Sequence, residues 1–410
     1  MTIVIIITLC SLLLLAYLFD VSSKWTRIPS VLLLLLLGGI VRETTVVMGV
    51  QMPDLYPVLP ILGTIGLILI VLEGALELEF NRSKLKLIKK SFFVALIPMV
   101  ILTFVLAFVF QYYSGYSFKD CITNAVPFSV ISSSIAISSA ANLPSFSKEF
   151  VTYESSFSDI LGVLFFNFVA LNAVIDLGSV WWFILQLIIV AIISFLSIIG
   201  LSILMSKIEH KTKYAPIILL VVLIYEVSQI YHLPALVFIL LFGLFLGNLG
   251  EIKNAKWLAK LKPDQLIIEV HKLKDIITEA TFLIRSLFFL LFGYFIKLED
   301  IINVQSFLLA GIIVVAIYVV RFFQLKASGL PSLPLVFIAP RGLINILLFL
   351  AIIPAYQIPI VGTPLLIQVI ILTSALMMLG MVFVKKEDLK KGDIESNDID
   401  ENNSVPIKTE

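Results

Sequence analysis

Two carboxylates stand inside an apolar stretch at 152–167, TYESSFSDILGVLFFN. Ser155 and Asp159 are four residues apart and share one face of a helix. Gly162 continues that face and lets a neighbouring backbone approach. Glu154 lies about 140° round from Asp159, so the two carboxylates serve different purposes. A charge in the middle of a membrane helix costs about 2.5–3.5 kcal/mol even on the lenient insertion scale. A buried ionisable group there is a functional candidate by default. Glu73, Glu226, Glu279, Arg285 and Arg341 are further candidates, of which Glu73 and Glu226 lie near span ends and are expected to be structural, while Glu77 and Asp176 sit near the ends of apolar runs and can reach an interface.

A second constellation lies at 333–350, LPLVFIAPRGLINILLFL. Pro340 removes a backbone hydrogen bond and Gly342 loosens the chain on the other side of Arg341. Backbone groups freed at such a break are tolerated only where protein or a water-filled cavity covers them. Arginine keeps its charge and needs a carboxylate, for which Glu154 or Asp159 is the expected partner. The third constellation, NAVPFSVISSSIAISSAANLP at 124–144, carries Pro127 and serines 129, 132, 133, 134, 138 and 139. Serine hydroxyls pack helices together or satisfy a broken backbone. Ser132, Ser133 and Ser134 are expected to face a cavity, and Ser138 and Ser139 to be packing residues.

The elements that hold these residues are membrane helices. The 410-residue chain is 60% hydrophobic and 14% charged, against a soluble norm near 45–50% and about 25%. Its mean hydropathy is +1.08. A soluble enzyme, a nucleic-acid binder and a disordered scaffold are excluded on that ground. Continuous rather than alternating apolar runs exclude a β-barrel. The net charge of +1 calls for no polyanionic partner. Cys10 and Cys121 both fall in apolar segments and suggest neither a disulfide framework nor a metal cluster. No nucleophile–base pair is evident, so no enzymatic activity and no cofactor is expected.

The expected fold is an all-α polytopic membrane protein with about thirteen spans: 2–19, 29–48, 57–79, 88–112, 119–141, 149–175, 179–206, 214–230, 233–249, 275–297, 303–324, 331–353 and 363–384. The first span has no basic region before it and no cleavage site, and is expected to be a retained helix. One side of this arrangement collects about 24 basic residues and the other about 3, which places the N-terminus outside and the C-terminus in the cytoplasm. Residues 250–274 are basic and amphipathic and should lie on the cytoplasmic surface before span 10. Residues 386–410 are polar and acidic, an expected disordered tail. His232 and His271 are expected to be ordinary surface histidines. Compact loops and the lack of a targeting signal point to a prokaryotic cytoplasmic membrane.

Interrupted spans 5 and 12 are seven apart, and a shift of seven reverses orientation. Spans 1–6 and 8–13 are therefore expected to form two inverted six-helix repeats with span 7 as linker. Interrupted segments in corresponding positions are the sequence pointer to a transporter's midplane site.

These residues resemble the monovalent cation/proton antiporters, the sodium/proton exchangers of the NhaP and NHE type. ESSFSD at 154–159 resembles their ES–xx–ND signature, and VLEGALEL at 71–78 the end of their third helix. HLPALVFILLFGLFLGN at 232–248, FLIRSLFFLLFGYFI at 282–296 and PRGLINILLF at 340–349 resemble their ninth, tenth and twelfth helices. The resemblance extends over nearly all of 1–385. It implies crossed discontinuous helices 5 and 12, and a homodimer whose core domain (spans 4–6 and 11–13) moves against a dimer domain (spans 1–3 and 8–10). It implies that Asp159 binds cation and proton in turn, that Ser155 is a hydroxyl ligand, and that Glu154 and Arg341 form an ion pair. Ser132, Ser133 and Ser134 align with the Thr-Asp-Pro of the unwound fifth helix. Two departures stand out. Ser158 replaces the usual Asn, on which the hydrogen bonding that steadies the broken helices depends. Serine replaces the Asp of Thr-Asp-Pro, which removes a polar anchor near the cation.

One acid in place of two adjacent ones implies electroneutral one-for-one exchange of H⁺ for Na⁺ or Li⁺. The other readings are a K⁺/H⁺ antiporter of the same fold and a non-transporting sensor or scaffold derived from it. The expected partners are membrane lipid, monovalent cations and protons.

Overall fold

The computed structural model describes residues 2–26, 28–49, 54–55, 57–78, 84–172, 177–207, 214–231, 235–252 and 263–383. Among the described residues every regular element is helical. In hydrocarbon each backbone N–H and C=O must be satisfied within its own segment, and continuous runs of Leu, Ile, Val and Phe meet that need as helices. In chain order they are α1 (Thr2–Thr26), α2 (Ser30–Val47), α3 (Val58–Glu77), α4 (Leu85–Ser114), α5 (Phe118–Ser129), α6 (Ser133–Ser139), α7 (Ser145–Leu171), α8 (Leu177–Lys207), α9 (Tyr214–Ile230), α10 (Ala235–Gly247), α11 (Leu249–Ile252), α12 (Pro263–Phe295), α13 (Leu298–Ile301), α14 (Val304–Ala327), α15 (Leu343–Leu350) and α16 (Thr363–Phe383). Nine helical stretches among the described residues are long and apolar enough to cross a membrane, while α9 and α10 are apolar but shorter.

Polar caps mark several ends. The Ser117 hydroxyl accepts from Asp120 N (3.1 Å) at the start of α5, and Asn303 Oδ1 accepts from Gln305 N (3.0 Å) and Ser306 N (3.2 Å) at the start of α14. Helix α4 stops at Gly115, which takes a left-handed φ of 68° and donates to Gln111 O at 2.8 Å.

Packing divides the helices into two neighbourhoods. Helix α12 lies along α2 and α3, and α3 along α10. On the α2–α12 contact, Gly38 and Gly293 bring the two backbones together: a Cβ on Gly293 would meet Leu35 O at 2.4 Å. Small residues serve this purpose where lipid offers no hydrophobic drive for helix association. Helix α4 packs on α5, α7 and α14, and α14 on α16. Helix α7 touches α3 and α10 as well as α4, α5 and α6, so it runs along the seam between the two groups.

The interruptions fall close to the expected Ser132–Ser134 and Pro340–Gly342. Pro127 remains inside α5, and the break falls at 130–132, after which α6 resumes. Of the expected span 331–353, only a 3₁₀ turn (Leu335–Phe337) and the eight residues of α15 are helical. Residues 338–342 between them have no regular structure. The expected surface segment 250–274 is in part the start of α12, while 253–262 fall outside the described residues. Asp176, His210, His232 and the tail 386–410 also fall outside them.

Candidate functional site

The two non-helical stretches, 130–132 and 338–342, cross and hold each other. Ser132 N donates to Pro340 O at 3.0 Å. Asn345, on the first turn of α15, donates to Pro127 O (2.5 Å) and Val130 O (2.8 Å), while its Oδ1 accepts from Gly342 N (2.6 Å). One amide thus satisfies three backbone groups that the breaks would leave orphaned. Gly342 admits this crossing because a Cβ there would meet Ser132 Oγ at 2.6 Å.

Asp159 projects from α7 onto the crossing and is 5% exposed. Its Oδ2 accepts from Ser133 Oγ and from Ser133 N (3.3 Å) at the start of α6. Its Oδ1 is buried with no hydrogen-bond partner among the described residues. The preceding Ser158 is also engaged, its Oγ accepting from Ile131 N at 2.9 Å inside the break. Ser158 thus holds one backbone N–H of the first break. Ser132 Oγ and Ser134 Oγ lie 3.1 Å apart. Ser155 is buried one turn before Asp159 and its hydroxyl donates to Val151 O at 2.7 Å, which leaves the oxygen lone pairs available. Ser138 is exposed and donates to the carbonyls of Ser134 and Ile135 within its own segment.

The structure separates the expected ion pair of Glu154 and Arg341. Glu154 Oε1 and Oε2 accept from Nη1 (2.8 Å) and Nη2 (3.0 Å) of Arg321 on α14. Arg321 Nε donates to Leu335 O at 2.8 Å, so the bridge ties α7 to α14 and to the turn before the second break. Arg341 instead donates to the carbonyls of Phe128 (2.8 Å), Ala339 (2.7 Å) and Ser129 (3.4 Å). The physical reason is the break itself. The end of α5 exposes carbonyls and the negative end of a helix dipole, and a guanidinium beside it meets both needs. The backbone N–H of Arg341 is taken by Thr373 Oγ1 of α16 at 3.2 Å.

The secondary candidates lie elsewhere. Glu73 on α3 sits among Thr278, Thr281 and Arg285 of α12. Arg285 reaches Asp20 of α1 at 3.7 Å. Glu279 and Glu226 are exposed on their helices rather than buried. No hydrogen bond among the described residues joins any of these to Asp159. His271 is exposed, and its Nδ1 lies 2.8 Å from Ile267 O.

Arg321, Asn345 and Thr373 are the site residues that sequence reasoning missed. Arg321 had a signal, since a cation after IIVVAIYVV is inside an apolar run, but its nearness to the end of span 11 made it resemble a boundary residue.

Gly162 gives the closest contact between α7 and the first break, because a Cβ there would stand 2.2 Å from Val130 Cγ2. Gly162→Ala should therefore destabilise the chain by about 1–3 kcal/mol through overpacking. Thermal unfolding in detergent checks this. Adding Val130→Ala should restore most of the loss, and no restoration would mean that the crowding is elsewhere.

Three comparisons with known proteins bear on this geometry. Residues 10–385 match the family described as "Sodium/hydrogen exchanger, transmembrane". A structure of the sodium proton antiporter MjNhaP1 from Methanocaldococcus jannaschii at pH 8 superposes with a TM-score of 0.69 at 18% identity, over 92% of this chain and 99% of that one. An electron-microscopy structure of the same antiporter gives a TM-score of 0.66 at 18% identity, over 97% and 98%. A comparison with curated protein sequences finds no match. The fold is that of these antiporters, and the match over residues 10–385 makes this chain a member of the sodium/hydrogen exchanger family.

Proposed function

We propose that the chain exchanges a monovalent cation, Na⁺ or Li⁺, for H⁺ across the membrane by alternating access, with the two ions competing for Asp159. The observation that carries this reading is the state of that carboxylate. One oxygen is held by Ser133, and the other lies buried at the crossing of two broken helices with no partner among the described residues. Glu154 is committed to Arg321, which leaves Asp159 as the acid free to take either ion. Hydroxyls of Ser132, Ser133, Ser134 and Ser155, together with carbonyls of the break, are the oxygen donors a hard cation uses. The description of the two solved relatives as sodium proton antiporters supports Na⁺.

Only the neutralised carboxylate moves cheaply past the hydrophobic barrier, so alternating access couples the two flows. A single acid gives one proton per cation, an electroneutral exchange. The packing groups support a core of α4–α7 and α14–α16 that moves, along the seam of α7, against a homodimeric frame of α1–α3, α9, α10 and α12. The charge asymmetry supports an orientation with the N-terminus outside, and the compact loops support a prokaryotic cytoplasmic membrane.

Proteoliposomes carrying an acidic interior test the proposal. Addition of Na⁺ or Li⁺ should dissipate the pH gradient without an imposed membrane potential, and K⁺ should not. Dissipation by K⁺ alone would replace the cation, and the alternative K⁺/H⁺ reading would stand. No flux with any cation from folded protein would overturn exchange in favour of a sensor or scaffold.

A further inference from the structure

Helix α3 of the frame meets the core at two glycines, and the two contacts differ in kind. A Cβ added at Gly63 would stand 2.6 Å from Leu347 Cδ2 of α15 and 3.4 Å from Phe288 Cε2 of α12. Gly63 is thus a notch in the frame, and Leu347 of the core fills it beside Phe288. All three residues are buried. At Gly74 a Cβ would meet only Ser156 Oγ of α7, at the looser distance of 3.8 Å. That hydroxyl is buried and has no hydrogen-bond partner among the described residues.

Helix geometry sets the levels of these contacts. Gly63 and Gly74 are eleven residues apart, about 16.5 Å along α3. Asp159 is three residues past Ser156, about 4.5 Å along α7. As the third and sixth spans, α3 and α7 run in opposite directions, so Asp159 stands between the two contacts, about 12 Å from the level of Gly63. Leu347 is five residues past Gly342 of the crossing, about 7.5 Å along α15 in the same direction. With the N-terminus outside, that direction is outward. The seam between core and frame is therefore apolar and tight on the outer side of Asp159, and polar and loose on its cytoplasmic side.

We propose that Leu347 in the Gly63 notch is the latch that closes the ion site from the outside, and that the core withdraws it each time the site opens outward. The proposal rests on the alternating-access reading above. An apolar side chain seated against Phe288 offers water nothing to hydrogen-bond along the way. Glycine opposite supplies room that any other side chain would take up. The burial of a single leucine side chain is small enough to be reversed in every cycle.

Disulfide trapping in proteoliposomes tests this, in a chain carrying Cys10→Ser and Cys121→Ala so that no native thiol competes. Gly63→Cys/Leu347→Cys should cross-link when copper(II) phenanthroline takes two electrons from the two thiols. Cysteine at 347 lacks the Cδ2 atom that a Cβ at 63 would meet, so the pair fits the notch. The cross-link should lower Na⁺-driven proton flux at least about tenfold, and a reductant should restore it, since a core tied to the frame keeps to one access state. Gly66→Cys/Ile284→Cys joins α3 to α12, where a Cβ would stand 3.3 Å from Ile284 Cγ2. Both helices belong to the frame, so this cross-link should leave flux intact. A second readout needs no flux. In cells, a membrane-impermeant maleimide added outside should label Leu347→Cys to completion. It should do so at least about tenfold more slowly than Ile353→Cys, a position 55% exposed just past α15, because the outward-open state is the minor one. Should the cysteine-replaced chain not fold, the same labelling is measured as the excess over the unsubstituted chain. No cross-link, a cross-link that leaves flux intact, or an equal loss of flux in the Gly66 pair would overturn the latch. So would Leu347→Cys that never labels, or that labels as fast as Ile353→Cys. No flux before cross-linking, with Leu347→Cys labelled slowly, would sink the exchange and leave the latch standing.

Discussion

Replacing Asp159 by asparagine is expected to abolish cation-dependent proton flux and leave the fold intact. Asparagine keeps the side-chain volume and one oxygen, so Ser133 N and Ser133 Oγ retain an acceptor. What disappears is the charge for which, in the proposed exchange, cation and proton compete. The flux should fall at least about a hundredfold, since a neutral amide neither takes up a proton nor supplies the charge that offsets the several kcal/mol cost of a desolvated cation. In the unsubstituted chain, the Na⁺ concentration for half-maximal flux should rise as pH falls, by up to about tenfold per unit where the proton dominates, because two ligands of one group displace each other reciprocally. A half-maximal concentration that ignores pH would separate the proton site from the cation site and sink the competition at Asp159. Retained flux in Asp159→Asn would do the same.

The parts of this architecture that the sequence revealed are those written in residue type along one segment. Runs of Leu, Ile and Val announce helices because lipid leaves the backbone no other arrangement. Pro340 and Gly342 announce a break because their backbone chemistry is local, and the serines at 132–134 mark its partner. Ser155, Ser158 and Asp159 could be placed on one helix for the same reason. The pairing of charges across helices could not. Arg341 was matched to a carboxylate on the rule that a buried cation needs an anion, yet its needs are met by Phe128, Ser129 and Ala339 carbonyls. Every residue carries a carbonyl, so nothing in the sequence marks the three left free by a helix break. Glu279 and Glu226 erred in the opposite direction, because position within an apolar run does not reveal which face of the helix is covered.

That misassignment leads to the largest expected effect on stability. Glu154 and Arg321 are 1% and 4% exposed and meet through two parallel hydrogen bonds. Taking two charges out of water is expensive, and the pair tolerates it only because each neutralises the other. Glu154→Gln would leave the Arg321 guanidinium buried beside a neutral amide, and should cost about 3–5 kcal/mol in thermal or chemical unfolding. Removing the cation as well, in Glu154→Gln/Arg321→Gln, should recover much of that loss, because no unpaired charge remains.

Arg341 supplies the control. If Glu154 is bound to Arg321 alone, a double-mutant cycle of Glu154→Gln with Arg341→Gln should give a coupling energy well below that with Arg321→Gln, since the carbonyl cage around Arg341 does not depend on the carboxylate. Arg341→Gln should still destabilise by itself, by freeing the carbonyls at the end of α5, and Glu154→Gln should add to it nearly independently. A strong coupling with Arg341 and none with Arg321 would restore the pairing expected from the sequence and place α14 outside the network that anchors the carboxylate-bearing helix.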